Sequence, residues 1–435
     1  MTRLAVLSTG QQLGGAAIGI AFVLIVIYGG FLSSRINPAD LAQFQDGASL
    51  FDKAREPDVW KYFYRPLQEG GTIVRPFYVL SIRLTETVLG TSAFAHHVTS
   101  LGFVWINAVL VFAVSRRLAG AETAALATAL FATHYVNRGD VFFVNNQGGV
   151  LISIAVLAAL LAFMRGIEDG RRRWTALAIA SLTLGFFAEE SAVVFPLLAA
   201  AYMRIFRSAS WRTVLLTTAP YWVLDVVLLG YRAWVLGEVV GGYSSQLQGL
   251  GPGELVIVAV VNWTNGVFND FWVWTFPNPL SLEGRWRESR LFAGSLGQGF
   301  SDVPKLIRLG LRFVVELSVA ALALVTTAAV AMRLGRDERR RLVPLVCFSV
   351  VWIIVNTLPF FAQGGPRYST LPSQGAALVV AACVLAAARH RADPRVVWWY
   401  RACLTAVLIL VVHSIFRILS APEYLDINLG GFLGH

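Results

Sequence analysis

Charge is scarce in this sequence. Only 14% of the 435 residues are Asp, Glu, Lys or Arg, while 56% are apolar and the mean hydropathy is +0.62. Soluble domains carry about 25% charged residues, so a water-soluble globular chain is excluded. Lysine is nearly absent: Lys53, Lys61 and Lys305 are the three, and the formal charge of +10 rests on arginine. Those arginines fall in short stretches between apolar runs, not on one continuous basic face. That excludes nucleic acid as a partner and follows the positive-inside pattern of membrane proteins. Cysteine is equally sparse. Cys347, Cys383 and Cys403 lie in or beside apolar runs without paired spacing, which excludes a disulfide framework and a zinc site.

What remains is a series of long apolar runs. A helix needs about 20 apolar residues to cross a bilayer, and runs of that order lie near residues 14–32, 97–115, 118–134, 141–164, 173–188, 191–206, 213–230, 309–332, 342–362, 368–388 and 401–420. The fold class is therefore an all-α polytopic membrane protein, one integral membrane domain over residues 1–435 with about eleven spans and a range of 10–13. The first run exceeds a signal-peptide core and lacks a small-residue cleavage pattern, so it reads as an uncleaved span. Arg116 and Arg117, Arg165 with Arg171 to Arg173, Arg204 with Arg207 and Arg212, and the arginines of 333–341 and 389–401 mark the cytoplasmic connections. This threading puts the N-terminus inside, the C-terminus outside, and residues 33–96, 135–140, 189–190, 231–308 and 363–367 on the outer face. Within 231–308, the apolar stretch 255–275 reads as a re-entrant or surface-lying helix, because an added span would place the basic 333–341 loop outside. Residues 33–96 form a first outer loop whose mixture of acids, arginines and aromatics suits juxtamembrane amphipathic helices. No repeat of 20 to 50 residues points to a solenoid.

Polar residues recur at the outer ends of the spans. Asn37-Pro38-Ala39-Asp40 reads as a helix start, with Asn37 at the N-cap and Asp40 in the first turn. Asp40 there either complements the helix dipole or serves as a general base on a substrate hydroxyl at the membrane surface. Arg75-Pro76 stands where the chain re-enters the membrane. Its guanidinium either snorkels to lipid phosphate or holds a phosphate through transfer. His134 with Asn137 and Asp140, the pair Glu189-Glu190, Arg232, and Arg367-Tyr368 complete the series. Paired carboxylates at a helix end are costly to desolvate, so Glu189-Glu190 calls for water, a cation or a basic partner. Arg83 and Glu86 stand three residues apart and read as helix-end snorkelling or an i, i+3 contact.

Taken together these residues resemble the C-type (GT-C) membrane glycosyltransferases, in the branch related to protein O-mannosyltransferases. Arg75-Pro76, Leu89-Gly90, His96-His97 and Asn107 are similar to that family's "RP…lfG…h…N" stretch. Residues 129–134 resemble its "allfalhP" segment, with Tyr135 in place of the proline and Gly139 in place of a glutamate beside Asp140. Residues 188–196 resemble "sKE.avv.P", with Glu190 at the glutamate and Glu189 replacing the lysine. Arg232 with Leu236-Gly237 and Gly241-Gly242-Tyr243, then Leu358-Pro359 and residues 367–373, resemble "R…lGg.gGY" and "llP…RYlylPs". The ordered series spans roughly residues 14 to 390.

The resemblance implies an enzyme that moves a sugar, with inversion, from a polyprenyl-phosphate donor to an acceptor hydroxyl on a glycan, lipid or protein. It implies a site at the outer face of a bacterial or archaeal plasma membrane. Asp40 is its positional match for the catalytic aspartate, with Ala39 where a second acid often stands and Asp46 as runner-up. Arg75, Arg232, Arg367 and His134 are then the candidates to compensate the leaving phosphate, and Glu190, Glu189, Asp140, Asn137 and Tyr368 support them. No metal-ligand spacing is present, so no cofactor is required on this reading; Glu190 would orient an arginine or hold a divalent cation. Two other classes fit the composition. A lipid-linked sugar transporter would show repeat symmetry and midplane charges, of which Asp225 is the clear instance. A non-catalytic scaffold with the same fold would accommodate the departures at Ala39, Gly139 and Glu189.

Overall fold

A computed structural model describes residues 9–36, 48–67, 73–134, 136–237, 334–360, 370–390 and 394–419. Asp40, Asp46, Arg367, Tyr368, the span at 309–332 and the helix at 255–275 lie outside the described residues. All regular structure among the described residues is helical. Six helical segments there are long and apolar enough to cross a membrane: Gly10–Ser33, Ala93–Ala119, Gln147–Asp169, Trp211–Leu236, Arg336–Thr357 and Thr370–Arg389. The protein is an integral membrane protein, and helices are what the bilayer demands, since backbone groups in hydrocarbon must bond within their own segment. Three of the expected spans are shorter: Ala121–Thr133, Arg172–Ala188 and Phe195–Phe206 have 13, 17 and 12 residues. At 1.5 Å per residue they rise roughly 18 to 26 Å.

The chain divides into two compact units. The first takes in residues 1–60, 76–189 and 411–435. Its elements are α1 (Thr9–Tyr28), α2 (Leu50–Arg55), α3 (Pro76–Leu89), α4 (Ala93–Ala119), α5 (Ala121–Thr133), α6 (Val136–Phe142), α7 (Gln147–Asp169) and α8 (Arg172–Ala188). Helix α4 is the hub, packing on α1, α3, α5, α6 and α7. Lipid tails give no hydrophobic incentive for helices to associate, so polar side chains help to join them. Ser153 donates to Asn107 at 2.9 Å and Gln147 donates to Ser100 at 2.8 Å, both between α7 and α4 and both buried. The Trp105 indole of α4 donates to the Ala17 carbonyl of α1 at 2.9 Å.

The segment between the first span and α4 holds α2 and α3. Helix α2 starts at a capping box in which the Ser49 hydroxyl accepts from the Asp52 amide and Asp52 accepts from the Ser49 amide. Arg83 and Glu86, three apart on α3, each turn to α2. Arg83 donates to the carbonyls of Ala54 and Glu56 at the end of α2, while Glu86 accepts from Arg55 through Nε at 3.0 Å and Nη2 at 2.6 Å. The expected i, i+3 contact is replaced by these two ties because a helix end leaves carbonyls in need of donors.

The second unit takes in residues 61–75 and 190–410. It contains α9 (Phe195–Phe206), α10 (Trp211–Leu236), α11 (Arg336–Thr357) and α12 (Thr370–Arg389), with α13 (Pro394–Leu419) running from it into the chain's C-terminal part. Helix α9 packs on both α10 and α11, through Phe195 against Tyr221 and Phe206 against Phe348. Helix α12 is built from small residues and approaches α11 closely. A methyl group at Gly375 would stand 3.0 Å from the Ser349 carbonyl and 3.1 Å from Ile353 and Trp352. Gly375→Ala is therefore expected to push α11 and α12 apart at a cost of about 1–3 kcal/mol. The check is a lower thermal midpoint of the solubilised protein; an unchanged midpoint would mean the helices are not in contact there.

Candidate functional site

Two polar clusters emerge, one inside each unit. The cluster of the second unit gathers three candidates. Arg75 lies immediately before α3, Glu190 opens the 3-10 turn Glu190–Val194 that leads into α9, and Arg232 sits in the last turns of α10. Their side chains converge although the arginines come from 115 and 42 residues away: Arg232 Nη1 donates to Glu190 Oε1 at 2.6 Å, and Arg75 Nε donates to Glu190 Oε2 at 3.3 Å. Each oxygen of the carboxylate thus answers a different guanidinium. Arg232 shares a buried face of α10 with Thr218, Tyr221, Asp225 and Leu228, spaced by three and four residues as one helix face requires.

Only 4% of the Arg232 side chain is exposed, against 17% for Arg75 and 24% for Glu190. The arginines hold the cluster's charge where water is thin, and a carboxylate between them is what makes that burial tolerable. Burial pushes the Glu190 carboxyl upward, but Arg75 and Arg232 together outweigh it and hold the group below its ordinary value. The three side chains sum to one positive charge. Next to Arg232, the Tyr231 hydroxyl donates to the Phe63 carbonyl, and the Leu67 amide donates to Ile73 O at 2.9 Å. The first bond ties the segment leading to Arg75 to the end of α10, and the second closes that segment on itself.

Glu189 belongs to the first unit. It caps the end of α8 in extended conformation, φ −162° and ψ 139°, so its side chain and that of Glu190 depart on opposite sides. Its carboxylate packs at the start of α7, where a methyl group on Gly148 would lie 3.8 Å from Oε2. The N-terminus of a helix favours a negative charge, which gives the reversed charge at this position a structural reason.

The remaining described candidates form the first unit's cluster around Tyr28. The Tyr28 hydroxyl donates to the carbonyls of His134 at 2.9 Å and Ala132 at 3.2 Å. His134 Nδ1 accepts from the Val136 amide at 3.2 Å, and Asn137 donates to Phe131 O, so both residues pin the turn between α5 and α6. Asp140 sits in this electrostatic neighbourhood of Tyr28 and, like His134 and Asn137, is buried. Gly139 is closely covered. A methyl group there would meet Asn146 Nδ2 at 3.0 Å, so a larger side chain would have to displace Asn146. His97, placed by the sequence only within a resemblance, joins this cluster through Ser34, Val141 and Phe142. Nothing in the spacing marks it over its neighbour His96; its partners are remote in sequence.

Among the described residues no group of three or more His, Cys, Asp or Glu stands ready to hold a metal ion. What the Arg75–Glu190–Arg232 cluster can do chemically is present guanidinium groups to an anion at a helix end. Glu190→Gln is expected to lower the thermal midpoint, with a loss on the order of 2 kcal/mol, between the surface and buried limits for an ion pair. Since the folded carboxyl titrates below its ordinary value, this stabilisation is complete above about pH 4.5 and disappears as pH falls through the folded value. Midpoints of wild type and Glu190→Gln should accordingly converge on acidification; a gap independent of pH would refute the ion-pair account.

Comparison with known proteins adds one finding. Among curated proteins none matches the chain significantly. The cluster Arg75, Glu190 and Arg232 lies entirely within the matched stretch: over residues 74–235 the chain matches the family model of the dolichyl-phosphate-mannose-protein mannosyltransferases, a GT-C type family.

Proposed function

We propose that the protein is a membrane glycosyltransferase that transfers a sugar, in the first instance mannose, from a polyprenyl-phosphate donor to an acceptor hydroxyl. The observation that carries this reading is the convergence of Arg75 and Arg232 on Glu190. Guanidinium groups are the side chains best matched to a phosphate, through planar, charge-assisted hydrogen bonds. The match to a mannosyltransferase family over the same residues supports the sugar, and the membrane-spanning helices suit a donor carried on a lipid.

In this reading Asp40 takes the proton from the acceptor hydroxyl as its oxygen forms a bond to the anomeric carbon. The bond from that carbon to the phosphate oxygen breaks, and polyprenyl phosphate departs with the electron pair. Inversion follows from attack opposite the leaving group. Negative charge grows on the departing phosphate, which is where Arg75 and Arg232 act, with Arg367 as a third cation. Glu190 fixes the orientation of the two guanidiniums; Asp46 is the alternative base. The site faces the exoplasmic side, as the arginine distribution of the connections implies.

The test is transfer of label from tritiated mannosyl-phosphoryl-polyprenol by membranes carrying the protein, followed by the same assay with other radiolabelled polyprenyl-phosphate sugars. Asp40→Asn is expected to reduce turnover by a factor on the order of 10² to 10⁴ with donor binding retained. Arg232→Gln is expected to weaken donor binding and turnover together. Full turnover by Asp40→Asn would remove Asp40 from the role of base, and absence of transfer from every lipid-linked sugar would overturn the transferase reading.

A further inference from the structure

The first span does not stop at α1. It continues through the 3-10 segment Gly29–Ser33, and a 3-10 helix has three residues per turn, so residues three apart stack in one row. Tyr28, Phe31 and Ser34 form that row, and all three are buried. Each is fastened to a different point of the first unit. Tyr28 donates to the carbonyls of Ala132 and His134, Phe31 packs on Phe142 with ring centroids 5.7 Å apart, and Ser34 meets His97 Nε2 at 3.0 Å.

His97 closes the row. Its side chain is fully buried, 0% exposed, in the first turns of α4. The ring stacks on Phe142 with an interplanar angle of 7° and centroids 6.0 Å apart. Its Nδ1 faces the Val141 carbonyl at 3.2 Å. A carbonyl only accepts, so the Nδ1 contact needs the proton on that nitrogen; the Ser34 hydroxyl also donates to the Phe31 carbonyl at 2.6 Å, so its one proton lies between that carbonyl and His97 Nε2. One imidazole therefore joins three separate elements: α4, the end of the first span, and α6 beside Asp140.

We propose that His97 is a positioning residue, which fixes Ser34 and so the starting point of the acid-bearing segment 35–47 against the end of α6. This rests on the reading of Asp40 as the base, six residues beyond Ser34. With a bond to the chain on each side, His97 sets where that segment leaves the span, and a base displaced by about 1 Å loses on the order of 10² in rate. His97 does not touch substrate in this scheme; it acts through the backbone it holds.

The experiment compares His97→Ala, His97→Gln and Ser34→Ala with wild type, as full-length protein in membranes or nanodiscs. Two readouts are taken: hydrogen–deuterium exchange of peptides covering residues 29–40 and 136–143, and kcat and KM with tritiated mannosyl-phosphoryl-polyprenol. His97→Ala is expected to speed exchange in both peptides while α7 peptides stay protected, and to lower kcat at least tenfold with donor KM within about twofold. His97→Gln, whose amide reaches toward Ser34, should recover part of kcat. Ser34→Ala removes the contact with His97 together with the hydroxyl's bond to the Phe31 carbonyl, leaves the His97–Val141 contact in place, and keeps the proposal testable if His97→Ala fails to fold; it should speed exchange in 29–40 alone. Unchanged exchange in Ser34→Ala and His97→Gln, or faster exchange with undiminished kcat, overturns the assignment. Asp40→Asn is assayed in parallel: if it remains active, the base assignment falls, while exchange in 29–40 still decides whether His97 anchors the segment.

Discussion

Glu190 accepts one hydrogen bond from Arg232 at 2.6 Å and another from Arg75 at 3.3 Å, and without that shared carboxylate two guanidiniums would face each other at a poorly hydrated helix end. Like charges in a low-dielectric setting repel strongly, and an arginine as deeply buried as Arg232 needs an anion. The 3-10 turn that carries Glu190, the end of α10 and the segment before α3 are drawn together by this one requirement. The same arrangement leaves the trio with a net positive charge, which suits it to an anionic ligand with more than one oxygen to offer. Stability and the proposed anion recognition thus rest on the same three side chains.

The first unit handles polarity differently. Its buried polar groups mostly serve the backbone: Tyr28 satisfies two carbonyls at the end of α5, His134 caps the amide of Val136, and Asn137 reaches back to Phe131. Short helices joined by tight turns leave carbonyls and amides unmatched at every junction, and within a membrane those groups have little water to turn to. Residues that look catalytic from their chemistry can therefore be occupied in holding turns. His134 belongs to this group, as its Nδ1 is engaged by its own turn.

Much of the helical pattern was legible beforehand. The runs at 14–32, 97–115, 141–164, 213–230, 342–362 and 368–388 each correspond to a helix long enough to span, because twenty apolar residues in a row have few alternatives in water or lipid. Boundaries were less legible. The run 118–134 continues almost directly from the previous one, and only Gly120, with φ +88°, marks the turn that separates α4 from α5. The loop helices α2 and α3 were readable only as amphipathic character, since their partners Arg55, Arg83 and Glu86 are set by packing.

Of the candidate site, the sequence by itself determined the inventory: a membrane chain, a few arginines and acids at span ends, and a family resemblance that the match over residues 74–235 bears out for that stretch. The tertiary structure alone decided the assignments. Glu189 and Glu190 are adjacent and chemically identical, yet the extended backbone between α8 and the following turn sends one to the start of α7 and the other to two arginines. His96 and His97 are adjacent as well, and only the latter lies against Ser34 and Val141. Neighbouring residues share a composition, a hydropathy and a motif, but a turn of 100° or 180° between their side chains gives them different surroundings, and those surroundings are made by residues remote in the chain.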